Sequence, residues 1–202
     1  MAPVTPRPAA SLILLRRGGR HRDRDVEVLL VRRSDQASFM PGVWVFPGGT
    51  VEAADEGDNE AAHRACAIRE LHEEAGIELA ADAELVPWSR WITPEAVPVR
   101  FDTRFYVALA PAHSPPRPDG AETTDAGWFS PRDALERHQA GGLSLVFPTI
   151  KHLESLMPYT SAAEVLEAAR ERVVEPVLPR VVGEGDERHV LLPSDPGYGS
   201  PA

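Results

Sequence analysis

Apolar residues come in short, dense runs in the first third of the chain and in helical spacing further on. SLILLRR (11–17) and VEVLLVRR (26–33) are strand-like runs around the polar, Gly-containing loop GGRHRDRD (18–25), which predicts a hairpin. VWVFPGG (43–49) is rich in β-formers and is ended by Pro47-Gly48-Gly49. The polar loop EAADEGDN (52–59) follows, where Asp58 or Asn59 can cap a helix over about 60–75 that Gly76 would stop. Ala62, Cys66 or Ala65, Ile68 or Arg69, and the stretch 71–75 give that helix a modest apolar face, expected opposite its acids.

Further strands are predicted at ELVPWSRWI (84–92) and DTRFYVALA (102–110), then a Pro-rich loop, PAHSPPRPDGAETTD (111–125), and a short strand at GWFS (127–130). Ser130 can cap a helix whose first position suits Pro131, and PTIKHLESL (148–156) and SAAEVLEAARERV (161–173) read as two more helices. Strands and helices alternate without a regular βαβ beat. The expected class is therefore α+β, an α/β/α sandwich on a mixed sheet, and not a doubly wound Rossmann fold. The expected organisation is one domain over 1–173 with a C-terminal extension, 174–202, in which no chemistry is visible.

Composition narrows the function. At 202 residues the chain can bury a real core, and 43% hydrophobic with 26% charged residues is ordinary for a globular domain, while 20 prolines indicate much loop. A formal net charge of −10 argues against a nucleic-acid polymer as the main partner. SLILL is too short to span a bilayer and runs into RRGGRHRDRD instead of a small-residue cleavage site, which predicts a cytoplasmic protein with no membrane partner. The single cysteine, Cys66, sits in a helical stretch and is expected to be a core thiol.

The chemistry concentrates in RELHEEAGI (69–77). On a helix Glu70, Glu73 and Glu74 point the same way, with Glu70 and Glu74 one turn apart. Such like-charge pairs each cost roughly 0.2–0.5 kcal/mol on an exposed helix unless a cation lies among them, and a hard divalent ion would fit. These residues are also the second half of the Nudix signature, met in full by Arg69, Glu70, Leu71, His72, Glu73, Glu74, Ala75, Gly76 and Ile77, with FPGG (46–49) upstream where its first Gly belongs. The chain resembles a Nudix hydrolase. The spacing from Gly49 to Arg69 is six residues longer than in the signature, so its early acid falls on Asp55 when counted forward and on Ala61, beside Glu60, when counted back.

Over about 10–157 the chain looks like the branch containing the peroxisomal coenzyme A diphosphatases, through FMPGVWVFPGGTVEAAD, WITP, RFDTRFYVA and FPTIKHLESL. LLVRRSDQASFMPGVWVFPGG partly matches the motif of another group of CoA-cleaving Nudix enzymes, with Val31 for a Thr and Ser38 for an Arg. The resemblance implies a Mg²⁺- or Mn²⁺-dependent pyrophosphohydrolase. It makes Glu70 and Glu74 the principal metal ligands, with Glu73 a ligand or a supporting acid and a backbone carbonyl near Gly48 or Gly49 completing the shell. Arg69 would orient a box carboxylate or touch substrate. Arg32, Arg33, Arg100 and Arg104 are the basic candidates for substrate phosphates.

In Nudix enzymes a base or further ligand often comes from a loop outside the box; here that loop is DGAETTDAGW, and Glu122 is expected to be the catalytic acid-base group ahead of Asp119 and Asp125. Trp88 and Trp91 are expected in the core or its rim, with stacking on adenine as the alternative, and the histidines, His21, His63, His72 and His113 among them, are expected at the surface. The expected partner is a small nucleotide, CoA or acyl-CoA first and ADP-ribose or NADH second, with a homodimer as an open option. A Nudix-fold ligand sensor without turnover is the rival from another class.

Overall fold

The computed structural model describes residues 4–17, 26–57, 59–80, 82–183, 185 and 188–199. The predicted turn at 18–25, with His21, and the Asp58 alternative for a helix cap lie outside them.

The middle of the sheet is β1 (Arg7–Arg17), buried throughout 9–15. Ile13 and Leu15 face one layer of the core, and Ala10, Leu12 and Leu14 face the other. A strand covered on both faces reads as a continuous apolar run, which is why SLILL shows no polar alternation. One edge of β1 pairs in parallel with β6 (Phe101–Leu109) from Arg7↔Phe101 to Leu15↔Leu109. The other edge is shared between two antiparallel partners: β2 (Val26–Arg33) beside 15–17, and β4 (Gly48–Thr50) beside 9–11. With β3 (Trp44–Val45), β5 (Val86–Ile92) and β8 (Pro176–Val177) the order is β3-β2-β1-β6-β5-β8, and β7 (Thr123–Phe129) pairs β2.

α1 (Asn59–Ala75) covers one face through Cys66, Ala67, Leu71 and Ala75. α2 (Pro131–Gln139), α3 (Phe147–Leu156) and α4 (Ala162–Glu171) cover the other through Ala134, Leu153, Leu156, Val165, Leu166 and Ala169. The expected α/β/α sandwich on a mixed sheet is what forms. Helix boundaries follow local chemistry: Ser130 Oγ accepts from Asp133 N (3.1 Å) at the start of α2, and Gly76, at φ 62°, ends α1. The Ala75 carbonyl left open there accepts from Arg117 N at 2.7 Å. Among the described residues no helix is long and apolar enough to cross a membrane.

Three strands differ from expectation. VWVFPGG is two short strands, because Phe46 turns inward into the core and the Pro47 carbonyl accepts from Leu12 N (2.9 Å) and Ser11 Oγ (2.9 Å). β1 begins at Arg7, where weak β-formers are held by β6 and β4 on either side. β7 begins at Thr123, since Arg33 and Arg32 of β2 pair with Thr123 and Asp125. Beyond β8, β9 (Arg180–Val182) and β10 (His189–Leu191) form a separate antiparallel pair.

The surface expectation for histidines fails at two positions. His63 and His152 are 5% and 2% exposed, His63 with its ring bonded to Asn59 O and His152 enclosed by Phe46, Trp91 and Phe105. Trp88 is a core residue at 1% exposure, and Trp91 packs edge-on against Phe147.

Candidate active site

The site forms where β4 crosses the C-terminal half of α1. Gly48 N donates to Glu74 Oε2 at 2.9 Å. A Cβ on Gly48 would lie 2.7 Å from Ser11 Cα, and one on Gly49 would overlap the Glu70 carboxylate. The two glycines are therefore what lets strand backbone lie directly on the acidic helix. The Gly49 carbonyl, a predicted metal ligand, accepts from Cys66 Sγ at 3.6 Å.

Glu70 and Glu74 are 7% and 3% exposed, on the inward stripe with Cys66, Ala67 and Leu71. This corrects the expectation that the apolar face lies opposite the acids: the two carboxylates are the outer end of that face. Glu73, one step round the helix, has a side chain 54% exposed. Burial pushes the Glu74 pKa up to about 8, against the Gly48 N–H bond and with Glu70 and Glu122 adding repulsion. Burial also raises the Glu70 pKa, with Arg69 opposing and Glu73 and Glu122 reinforcing. Arg33 is the cation that opposes the rise at Glu74.

Arg69 organises the acids. Its Nε and Nη2 donate to Asp55 Oδ1 and Oδ2 at 3.0 and 3.1 Å, a two-pronged pair, while Nη1 reaches Glu70 Oε1 and Glu73 Oε2, both at 2.8 Å. Nη2 also donates to Thr50 O (3.1 Å), which fixes the end of β4. Burial would raise the Asp55 pKa, but bonds from Arg69 and from Glu52 N hold it below the usual carboxylate range, and the bond to Asp55 leads the upward shift at Arg69. Of the two counts for the early acid, the forward one lands on the residue that Arg69 grips. Glu60, beside the backward count, pairs instead with Arg64 (3.0 Å) and Arg104. The six extra residues thus fall between Asp55 and Arg69, partly within the first turns of α1.

Glu122 is exposed and near enough to Glu70 and Glu74 to raise both. Its loop is pinned on two sides. Ser34 N donates to Glu122 O (2.8 Å), and the buried Thr123 donates its hydroxyl to Glu74 O (2.7 Å). Asp119 is spent on the turn, accepting from Glu122 N (3.1 Å) and Thr123 N (2.8 Å), and Asp125 accepts from Ala126 N (2.8 Å). Thr123 was not legible as a site residue, since a Thr before a strand carries no distinguishing signal.

The basic candidates separate. Arg33 donates to Phe39 O (3.1 Å) beside the acids, and Arg32 bonds Thr124 Oγ1 (3.0 Å) and Asp35 Oδ1 (2.7 Å) at the same edge. Arg104 pairs with Glu60 and Asn59, roughly 15 Å along α1 from Glu70 at 1.5 Å per residue. Arg100 is 6% exposed and donates to Thr93 O and Val4 O, a structural role.

The donor set fits a hard divalent cation. Glu74 stands nearly fully buried beside two other carboxylates, and oxygen is the donor type on offer. Among the described residues no three acidic, His or Cys side chains already close into a coordination cage.

Residues 5–147 match the NUDIX domain family, and with that share of its length and this site the chain belongs to the Nudix hydrolases, a family of pyrophosphohydrolases that generally use divalent metal ions. It is 30% identical over 186 residues to putative nudix hydrolase 7 of Caenorhabditis elegans, an alignment covering 74% of this chain and 60% of that protein. It is 25% identical to acyl-coenzyme A diphosphatase NUDT19 of Gallus gallus, over 86% of this chain and 73% of that protein. The chain thus spans about 60–73% of the length of these curated relatives. A crystal structure of a NUDIX hydrolase from Alicyclobacillus acidocaldarius superimposes with a TM-score of 0.72 at 30% identity, over 81% of this chain and 96% of that one. The NUDIX domain of Shewanella oneidensis NrtR, solved with ADP ribose, shares the fold at a TM-score of 0.55 and 19% identity, over 77% and 88% of the two chains.

Proposed function

We propose that this Nudix hydrolase cleaves the pyrophosphate bond of a nucleoside diphosphate linked to another moiety, with coenzyme A or acyl-CoA as the substrate. The observation that carries the reading is the pair of buried carboxylates, Glu70 and Glu74, seated against the Gly48–Gly49 backbone with Glu122 beside them. Mg²⁺ or Mn²⁺ bound there supplies neutralisation of phosphate charge and lowers the pKa of a coordinated water. Glu70 and Glu74 hold the ion, Glu73 supports it from the rim, and Arg69 keeps Glu70 and Glu73 in position. Glu122, on its pinned loop, accepts the proton of the attacking water. Arg33 and Arg32 meet the phosphate oxygens at the open side. The choice of CoA is supported by the partial CoA-type motif over 29–49 and by the similarity to acyl-CoA diphosphatases.

The test is a substrate panel of CoA, an acyl-CoA, ADP-ribose and NADH with Mg²⁺ or Mn²⁺, read by chromatography. CoA should give 3′,5′-ADP and 4′-phosphopantetheine with a higher kcat/KM than ADP-ribose or NADH, and Glu74→Gln should lower turnover by about two orders of magnitude or more. Better efficiency on ADP-ribose or NADH would reassign the substrate. Binding without product formation would make the chain a sensor.

A further inference from the structure

β7 carries one residue too many where it meets the site. Its register with β2 runs regularly as far as Asp125↔Arg32 and then jumps to Thr123↔Arg33, which leaves Thr124 as the extra residue of a bulge. Ala126 and Trp128 pack on the α1 layer with Leu29 and Val31, and unbroken alternation would bring Thr124 onto that same face, opposite Arg33. The bulge gives the place to Thr123. Thr124 is exposed and accepts from Arg32 Nη1 at 3.0 Å, whereas Thr123 is fully buried. Bulges beside active sites commonly re-aim a side chain, and here the side chain re-aimed is a hydroxyl.

That hydroxyl joins two parts of the site. Its one proton is shared between Glu74 O at 2.7 Å and Asp119 Oδ1 at 3.0 Å. Carbonyls in the last turn of a helix lack partners within it, and Arg117 N takes up the next one, Ala75 O, at 2.7 Å. Both ends of the segment 117–123 are therefore docked on the turn of α1 that carries Glu74. Between them the Glu122 backbone is fully engaged: its N–H donates to Asp119 Oδ2 (3.1 Å) and its carbonyl accepts from Ser34 N (2.8 Å), which leaves the exposed carboxylate to act.

We propose that Thr123 is a positioning residue: turned onto α1 by the bulge, its hydroxyl ties the Glu122 loop to the backbone of Glu74 and so sets the proton-accepting carboxylate against the two that hold the ion. The inference rests on the role given to Glu122 above and deepens it. Asp119 is the second arm of the same device, acting on Glu122 through its N–H. A displacement of about 1 Å at a reacting group can change a rate by up to about a hundredfold, so a loosened loop should lower kcat far more than it raises KM.

The experiment is a double-mutant cycle between Thr123 and Glu122, with kcat and KM measured on whichever of CoA, an acyl-CoA, ADP-ribose and NADH is cleaved fastest with Mg²⁺. Thr123→Val keeps the shape and removes the donor, and Thr123→Ser keeps the donor. The Val variant should lose roughly 10–100-fold in kcat with KM within about threefold, and the Ser variant should stay within about threefold of wild type. Added to Glu122→Gln, Thr123→Val should lower kcat by no more than about twofold further, since the group it positions is already gone. Asp119→Ala changes an exposed loop residue and carries the test if Thr123→Val does not fold; it should lower kcat by about fivefold or more alone and by less than about twofold on Glu122→Gln. Deuterium exchange of the metal-free protein is independent of turnover: Thr123→Val should speed exchange across 119–123 roughly fivefold, and Thr123→Ser should not. A loss of kcat that keeps its full size on Glu122→Gln, equal losses for the Val and Ser variants, or unchanged exchange in Thr123→Val would each overturn the inference and leave Glu122 as the proton acceptor. A Glu122→Gln kcat within about twofold of wild type, or no turnover of any of the four compounds by wild type, would end that role for Glu122 and this inference with it.

Discussion

His152 offers a measurable link between burial and acid sensitivity. Its ring is 2% exposed, with the Phe105 centroid at 4.1 Å, and Nδ1 donates to Pro148 O at 2.6 Å. Nε2, left without a proton, accepts from Ser89 Oγ at 2.6 Å. Burial therefore favours the neutral ring and lowers its pKa from 6.5 to about 4. The unfolded chain takes up a proton near pH 6.5 and the folded chain resists until about pH 4, so stability is fully present above the first value and is lost as pH falls through the window between them. At about 1.4 kcal/mol per pKa unit the whole effect is roughly 3 kcal/mol, most of which accrues between pH 7.5 and 4.5. His152→Gln keeps a donor and an acceptor but cannot titrate. Urea unfolding followed by tryptophan fluorescence should show the variant less stable at pH 7.5, and the gap to wild type should narrow by roughly 2–3 kcal/mol at pH 4.5, other titrating groups cancelling in the difference. A gap constant to within about 0.5 kcal/mol over that range would refute the reasoning.

Three further perturbations address the site. Gly49→Ala places a methyl on the Glu70 carboxylate, so it should cost about 1–3 kcal/mol in a thermal or urea melt and lower kcat by at least tenfold; wild-type stability and turnover together would show that the strand need not lie on the helix there. Glu122→Gln should lower kcat sharply with KM little changed, and a kcat within about twofold of wild type would remove it from the mechanism. Asp55→Asn removes the charge from a pair in which Asp55 has a side chain 2% exposed, and should destabilise by roughly 2–3 kcal/mol at pH 7. Because the folded Asp55 pKa is depressed, that loss should fade in acid below its unfolded value, and urea melts at pH 7 and pH 3 would expose a pH-independent loss as the contrary result.

What the sequence makes legible is what local chemistry decides. The start of α2 at Ser130-Pro131, the end of α1 at Gly76 and the two-faced burial of SLILL each follow from a few neighbouring residues. The acids of RELHEEAGI were readable as a cluster, but not as part of the buried stripe, since a carboxylate is assigned to solvent unless tertiary packing encloses it. Counting alone led to Asp55 in one direction and to Ala61, beside Glu60, in the other, and only the forked bond from Arg69 decides for Asp55. His152 reads like a surface residue of an amphipathic helix, and its enclosure depends on Phe105 of β6 and Ser89 of β5, 47 and 63 positions away in the chain. Arg100 and Arg104 looked available for phosphates because their partners, Val4 O, Thr93 O and Glu60, are set by sheet register and not by sequence neighbours.

The parallel pairing of β1 with β6 also governs the order in which the molecule can assemble. Ser11 lies opposite Phe105, so that edge of the central strand has no partner until about half of the chain has left the ribosome. Closing a loop of that length brings an entropic cost before any sheet contact repays it, which places the chain among the slower, non-local folders. A nascent segment such as SLILL must spend that interval unpaired on one side, and β2, made soon after it, pairs the other edge only from Leu15 onward, so the segment stays an exposed apolar edge during synthesis.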